Sequence, residues 1–563
     1  RRQLERFQKK EARKKRAQEQ PEHTFASPEA AYAFYAAASG TRLRLLVSTL
    51  LCLGSVLLLV LSTPLITGAF SDHAAVFSAA MLGLLLLQAV CSYDVCLSGV
   101  IALLRFRFDQ YSMLFLALCA VVADAFFAVA EGRTPFCTVA SILLLLALWG
   151  RDLLYDARRR SLRAISNMDE PVAAIREEKA WHGYDCIFRA PGDAEQFAVQ
   201  LEMPDAGSRI MRVWAPVMTA VTLALSVLTS LRTGEHFLWA WSAMLLASFP
   251  AGILIAYAKP FSALARRLYR AGAAIAGWQG ARILSGEAGL IVEDADLFPP
   301  QNVTQGGMKL YGSRPAPMVI GYANAVVQTA GSGLVPLFEQ MMHDQNGRRY
   351  TVDTFRRYEG GGLGATIRGD VVLMGSIAFM KLMRVRVPEG TRLKQAVYLS
   401  VNGELTAVFA LNYAPAESVR AGLSAVLRAG SLVPVLATRD FMITPQFLKL
   451  RYKIPPEHIE FPIVEERARL SSQEIPRTGP QGALMARSSF ASFAGSVVSA
   501  RTLRGAAIIA MIVALAGSVL GTALMFFLTF LGSSFSASCW NLFLYTVLWL
   551  IPGLLTALLA GRA

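Results

Sequence analysis

The chain has 563 residues, 54% of them hydrophobic, and a formal net charge of +15. A mean hydropathy of +0.42 at this length excludes a single-domain, fully water-soluble protein, because so much apolar side chain could not all be buried away from water. The positive charge is concentrated in RRQLERFQKKEARKKR at the start, in RDLLYDARRRSLR and in ARRLYR. The last two clusters directly follow apolar stretches. Basic residues in that setting mark the cytoplasmic side of a membrane and meet anionic lipid headgroups. No nucleic acid is expected as a partner.

A membrane-spanning helix needs about 20 predominantly apolar residues. Eight stretches qualify: Leu45 to Thr63, Ala74 to Leu104, Tyr111 to Ala130, Thr134 to Trp149, Val213 to Leu231, Phe237 to Ala258, Gly505 to Phe530 and Leu542 to Ala560. The fourth is short unless it continues toward Tyr155, and the second is long enough to bend near Asp94. Placing both termini inside puts all three basic clusters and two soluble regions in the cytoplasm of a plasma-membrane protein. The seven cysteines form no CxxC pair, so neither a disulfide scaffold nor a metal site is expected from them.

Residues 1–44 read as a basic tail in which PEAAYAFYAAA forms a short amphipathic helix. Four spans occupy 45–157. The soluble segment 158–212 contains two candidate strands in IFRAPGDAEQFAVQLEMP. Two further spans fill 213–260, the second interrupted by Pro250 in SFPAGILIAYAKP. Proline removes a helical hydrogen bond and frees a carbonyl near Leu246. A basic helix with Arg266, Arg267 and Arg270 follows, and then GEAGLIVEDADLFPP, in which Leu290 to Val292 read as a buried strand ending on Asp294 and Asp296. The glycine-rich YEGGGLGATIRGDVVLMGS comes later. AVYLSVNGELTAVFALNY alternates apolar residues about Asn402 and Gly403, the signal of a β-hairpin. An amphipathic helix and a second buried strand follow, the strand ending on Thr438 and Asp440. The last two spans fill 505–563.

This order of parts resembles the P-type ATPases, and within them the heavy-metal (CPx-type) branch, which also has four spans before its first soluble segment. The resemblance implies a polytopic helical membrane protein with a HAD-like α/β phosphorylation domain (261–299 and 391–504). It further implies a nucleotide-binding-like insertion (300–390) and a reduced actuator-like segment (158–212). Asp294 stands at the position of the phosphorylated aspartate, with ADLF in place of KTGT. Thr438 and Asp440 keep part of the family's TGDN, with Arg439 at the glycine. Gly360 and Gly362 match paired glycines of the nucleotide-binding domain. Ser332 and Pro336 match its SxHPL motif, with Val335 at the histidine. The departures fall on the chemistry. No aspartate lies between Phe441 and Arg504 to form the family's second magnesium loop, and the only Thr-Gly-Glu, at Thr233 to Glu235, lies between two spans. Phe249 and Ala251 flank Pro250 where the branch uses ligating cysteines.

The expected function is therefore that of a degenerate P-type ATPase-like membrane protein with a regulatory, scaffolding or nucleotide-sensing role and a protein partner in the membrane. A divergent cation pump phosphorylated at Asp294 is the enzymatic alternative, and a passive channel or lipid-binding bundle is a third. ATP and Mg²⁺ are the cofactors the resemblance implies, and the residues themselves assign neither. Asp94 and Asp124 lie in apolar spans, where charge is costly and points to function; a shared ion site is one reading, and Asp94 facing the cytoplasmic interface is the other. Asp294 and Asp296 could hold a cation between them, and the plainer reading makes them caps of the next turn. The glycine run has one as a hairpin connection.

Overall fold

The computed structural model describes residues 21–38, 42–62, 73–166, 168–234, 236–388, 395–532 and 536–562. The first basic cluster, the loop 63–72 and Glu235 lie outside them. Among the described residues eight helices are long and apolar enough to cross a membrane, and each expected stretch falls on one of them, which makes this a multi-pass membrane protein. The second stretch does break beside Asp94, into Ala74–Cys91 and Tyr93–Leu104. The fourth continues well past Tyr155, as Cys137–Ser166. The seventh is one 41-residue helix, Phe490–Phe530, so no boundary exists at 504/505. The helix Pro28–Ala38 forms as expected. It is pinned by Tyr35, whose hydroxyl donates to Glu202 at 2.7 Å beside the buried Arg158.

The sixth span stops at Ser248, turns through Phe249 to Gly252, and resumes as Ile253–Ala256 and Ala258–Arg270. Pro250 is the cause, since it has no N–H to continue the ladder. The kinked backbone packs close to the fourth span at Gly150, where a Cβ would lie 2.1 Å from the Leu254 carbonyl oxygen. Only glycine fits that approach.

Among the described residues twelve strands form two six-stranded sheets. In chain order they are β1 (Val172–Trp181), β2 (Tyr184–Pro191), β3 (Ala273–Ile275), β4 (Ala288–Val292), β5 (Val303–Leu310), β6 (Thr354–Tyr358), β7 (Gly362–Ile367), β8 (Asp370–Gly375), β9 (Ala396–Val401), β10 (Glu404–Tyr413), β11 (Leu432–Leu436) and β12 (Gln481–Met485). The first sheet runs β11-β4-β2-β1-β12-β3, and the second runs β5-β10-β9-β8-β7-β6.

Two assignments change. The strands of 158–212 do not stand apart as an actuator-like segment. β2 pairs in parallel with β4, and β1 pairs with β12, so the hairpin is built into the middle of the first sheet. The hairpin expected in the second part of the phosphorylation domain belongs instead to the second sheet, where β9 pairs with β8 and β10 with β5. Its turn is the one foreseen, with both Asn402 and Gly403 at positive φ. The second sheet thus extends over 303–413 rather than ending at 390. Strand order depends on which edges find hydrogen-bonding partners far along the chain, and β9, buried along its whole length, needs a neighbour on each side.

Candidate functional site

β4 is buried at every residue, as a strand covered on both faces must be. It lies parallel to β11 with Val292 opposite Leu436, so both chains leave the sheet at the same edge. That places Asp294 next to Arg439 and Asp440. In open α/β sheets this carboxyl edge is where ligands bind.

Asp294 is enclosed by backbone N–H groups. Its Oδ1 accepts from Arg439 at 3.0 Å, and its Oδ2 accepts from Gly333 at 2.8 Å and from Asp440 at 3.1 Å. Gly333 belongs to the turn between helices Ala316–Ala330 and Val335–Asp344, so the Ser332–Pro336 segment does come to Asp294. The approach is tight: a Cβ on Gly333 would stand 2.8 Å from the Asp294 Cβ. Asp440 accepts from the Tyr413 hydroxyl at 2.7 Å and from the Met442 N–H at 2.9 Å. Burial, and then the charge of Asp440, push Asp294 up to about 7 against the pull of its three amides. Burial pushes Asp440 up to about 6. Two carboxyls this close and this dry hold a proton that solvent carboxylates would release.

Asp296 has the plainer role. Its Oδ2 accepts the Glu293 N–H at 2.8 Å, capping the turn Asp294–Leu297. It is fully buried and ion-paired to Arg189 of β2 at 2.6 Å, a partner with no local signal in the sequence. Magnesium requires oxygen ligands with free lone pairs in octahedral array. The oxygens of Asp294 and Asp440 face N–H and O–H donors, and residue 295 is alanine. This donor set does not fit the ion.

The paired glycines are filled from within. Gly362 lies opposite Gly375 in the β7–β8 ladder, and a Cβ on either would fall 2.2 or 2.4 Å from the Phe379 ring. Gly360 is packed against Leu382, with 2.8 Å to its side chain. Phe379 is fully buried, so these glycines make room for an aromatic side chain of the helix Ile377–Leu382 that follows β8. Thr438 is buried at the same edge, and Gly361, Gly362, Thr438 and Arg439 line one small cavity.

The membrane residues do not come together. Asp94 is paired with Arg44 at 2.5 Å and with Arg151 at 3.6 Å, at the end of its span nearer the sheets. Asp124, wholly buried, is held by both terminal nitrogens of Arg133, at 2.5 and 3.1 Å, near the opposite end. Each acid is neutralised separately, and a shared ion site is not formed. At Pro250 the Leu246 carbonyl accepts the Phe249 N–H at 3.2 Å, and the Ser248 carbonyl accepts the Ser518 hydroxyl. A void of only about 20 Å³ remains beside the break.

No protein-family model matches the sequence, and no curated protein matches it. Among solved structures, the chain is similar to a zinc-transporting PIB-type ATPase, with 14% identity and a TM-score of 0.46 over 93% of this chain and 100% of that one. A second structure of a zinc-transporting PIB-type ATPase, in a different state, gives 14% identity and 0.42 over 90% and 99%. A CPx-ATPase catalytic domain gives 12% identity and 0.25 over 37% and 73%. By its own elements this chain is a multi-pass membrane protein with eight candidate spans among the described residues and two six-stranded α/β units.

Proposed function

We propose that the chain is a P-type ATPase-like membrane protein whose phosphoryl-transfer chemistry has been lost, and that it acts as a regulatory or scaffolding partner in the membrane rather than as a pump. The observation that carries this is the closed shell around Asp294. A carboxylate nucleophile must present a lone pair to the γ-phosphorus while cations offset phosphate repulsion. Here both oxygens are taken by backbone donors, and Gly333 lies against the side chain. Ala295 supplies no charge. The hairpin at the actuator position supports the same reading. With both strands hydrogen-bonded inside the first sheet, it cannot swing toward Asp294 without tearing that sheet.

Purified protein incubated with γ-labelled ATP and Mg²⁺, then quenched in acid, is expected to carry no hydroxylamine-sensitive label. Label in the wild type that vanishes in Asp294→Asn would overturn the reading and favour a divergent cation pump. We further place both termini and both sheets in the cytoplasm, because the basic clusters fall on that side of the spans. A membrane-impermeant thiol reagent applied to intact cells, with the native cysteines removed, should label His236→Cys and spare Gly360→Cys. The reverse pattern would refute the topology.

A further inference from the structure

Four arginines converge where the first, fourth and sixth spans meet. Arg42 opens the first span, Arg42–Leu61. Arg159 and Arg160 lie on the fourth, Cys137–Ser166, and Arg266 on Ala258–Arg270, the helix that continues the sixth. The first and last of these helices both pack on the fourth, and Arg160 feels the charges of Arg266, Arg159 and Arg42. Acid is scarce among them. Asp156 is paired with Arg159 at 2.9 Å and with Arg160 at 2.7 Å, so one carboxylate serves two guanidiniums. Among the described residues Arg42 and Arg266 make no ion pair. Arg160 also keeps one terminal nitrogen, Nη1, enclosed and without a hydrogen-bond partner. Buried polar atoms are almost always satisfied in folded proteins, so this group calls for an acceptor that the protein does not supply.

The depth of the cluster points to what supplies it. From Cys137 to Arg160 the fourth helix rises about 34 Å at roughly 1.5 Å per residue, just past the roughly 30 Å of a hydrocarbon core. The arginines therefore stand at the level of lipid phosphates. Arg42 and Arg266 are exposed, so the cluster opens outward. Toward the middle of the bilayer, Leu46 and Leu50 follow Arg42 at four-residue steps, on the same helix face, and are 56% and 60% exposed. A cationic rim above an outward-facing apolar stripe complements a molecule with a phosphate head and a hydrocarbon tail.

We propose that Arg42, Arg159, Arg160 and Arg266 form a site for the phosphodiester headgroup of one anionic phospholipid, with an acyl chain lying along Leu46 and Leu50. Guanidinium forks match phosphate oxygens in pairs. Four cations against Asp156 leave an excess of positive charge, which a zwitterionic headgroup neutralises less well than an anionic one. Loose attraction of basic flanks to an anionic surface holds many lipids weakly; a built site holds one. A lipid held here ties the first span to the fourth and to the helix that leads into β3. The site does not depend on the chemistry at Asp294.

The test uses the full chain, delipidated in detergent, with dioleoylphosphatidylglycerol as probe and dioleoylphosphatidylcholine as control. Native mass spectrometry counts the bound lipid, and thermal unfolding against lipid concentration gives its affinity. One phosphatidylglycerol per chain is expected, with a saturable rise in Tm and binding about tenfold tighter than phosphatidylcholine. Arg160→Gln and Arg266→Gln should each weaken it by about tenfold, the factor equivalent to about 1.4 kcal/mol. Arg266 is exposed and makes no ion pair among the described residues, so its variant keeps the fold. Arg105→Gln, at an exposed arginine closing the helix Tyr93–Leu104, should leave binding unchanged. Equal binding of the two lipids, unchanged binding in both cluster variants, or the same loss in Arg105→Gln would overturn the proposal and leave only diffuse attraction to a charged surface. Binding of glycerol 3-phosphate as tightly as the lipid would overturn it too, since the site would then take a soluble anion.

Discussion

Replacing Arg189 by alanine is expected to destabilise the first sheet by about 3–5 kcal/mol, the cost of leaving a buried charge without its partner. Arg189 sits on β2 with 11% of its side chain exposed, and Asp296 beyond the end of β4 has none. The guanidinium also donates to the Ser488 hydroxyl at 3.1 Å and lies over the Phe493 ring at 5.5 Å. One side chain thus ties together the inserted hairpin, the turn bearing Asp294 and the start of the long helix into the membrane. Pairing Arg189→Ala with Asp296→Asn should recover much of the loss, since no unpaired charge then remains. Denaturant unfolding of the four proteins of this cycle, with limited proteolysis around the hairpin, measures both effects. A loss below about 1 kcal/mol with no new cleavage would show that the strand pairings alone hold the hairpin.

Acidification from pH 8 to pH 5 is expected to stabilise the extramembrane part, opposite in sign to ordinary acid denaturation. Asp294 is raised from 3.8 to about 7, by burial and then by Asp440. Asp440 and Asp296 are each raised to about 6, in both cases chiefly by burial. Groups with raised folded-state pKa bind protons more tightly when folded, so their stability contribution is full below about pH 4. It is lost as pH rises through 6 and 7. For Asp294 alone the span from 3.8 to about 7 is on the order of 4 kcal/mol. Part of it is shared with Asp440, because the two titrate together. Unfolding midpoints across this range should rise toward pH 5, and Asp294→Asn should flatten the slope. A midpoint that falls on acidification, or a slope untouched by the substitution, would show that these carboxyls ionise freely. The expected pH dependence and the proposed loss of the phosphoenzyme meet at one residue: burial makes the Asp294 carboxyl easier to protonate against the pull of its amides, and those same amides occupy the lone pairs an attack would use.

The sequence by itself determined the elements whose signals are local. The eight spans follow from runs of apolar residues long enough to cross a bilayer. The break at Pro250 follows from a missing N–H, and the Asn402–Gly403 turn from two residues that tolerate positive φ. β4 and β11 were legible as short apolar runs ending on acids, while their parallel pairing, which brings Asp294 and Asp440 to one sheet edge, is a tertiary fact. Tertiary structure decided what surrounds them. Whether 172–191 forms its own unit or enters the first sheet depends on strand edges supplied from residues 288–292 and 481–485, and nothing within the hairpin encodes that choice. Glycine at 362 reads identically whether the vacated space admits a ligand or the Phe379 ring, because an absent side chain does not say what fills its place. Asp94 and Asp124 looked alike as acids in apolar spans, and only the fold showed that each has its own arginine. Asp294 shows the same division: its position came from a local pattern, and its chemistry from Gly333, a residue 39 positions away that closes over the carboxylate.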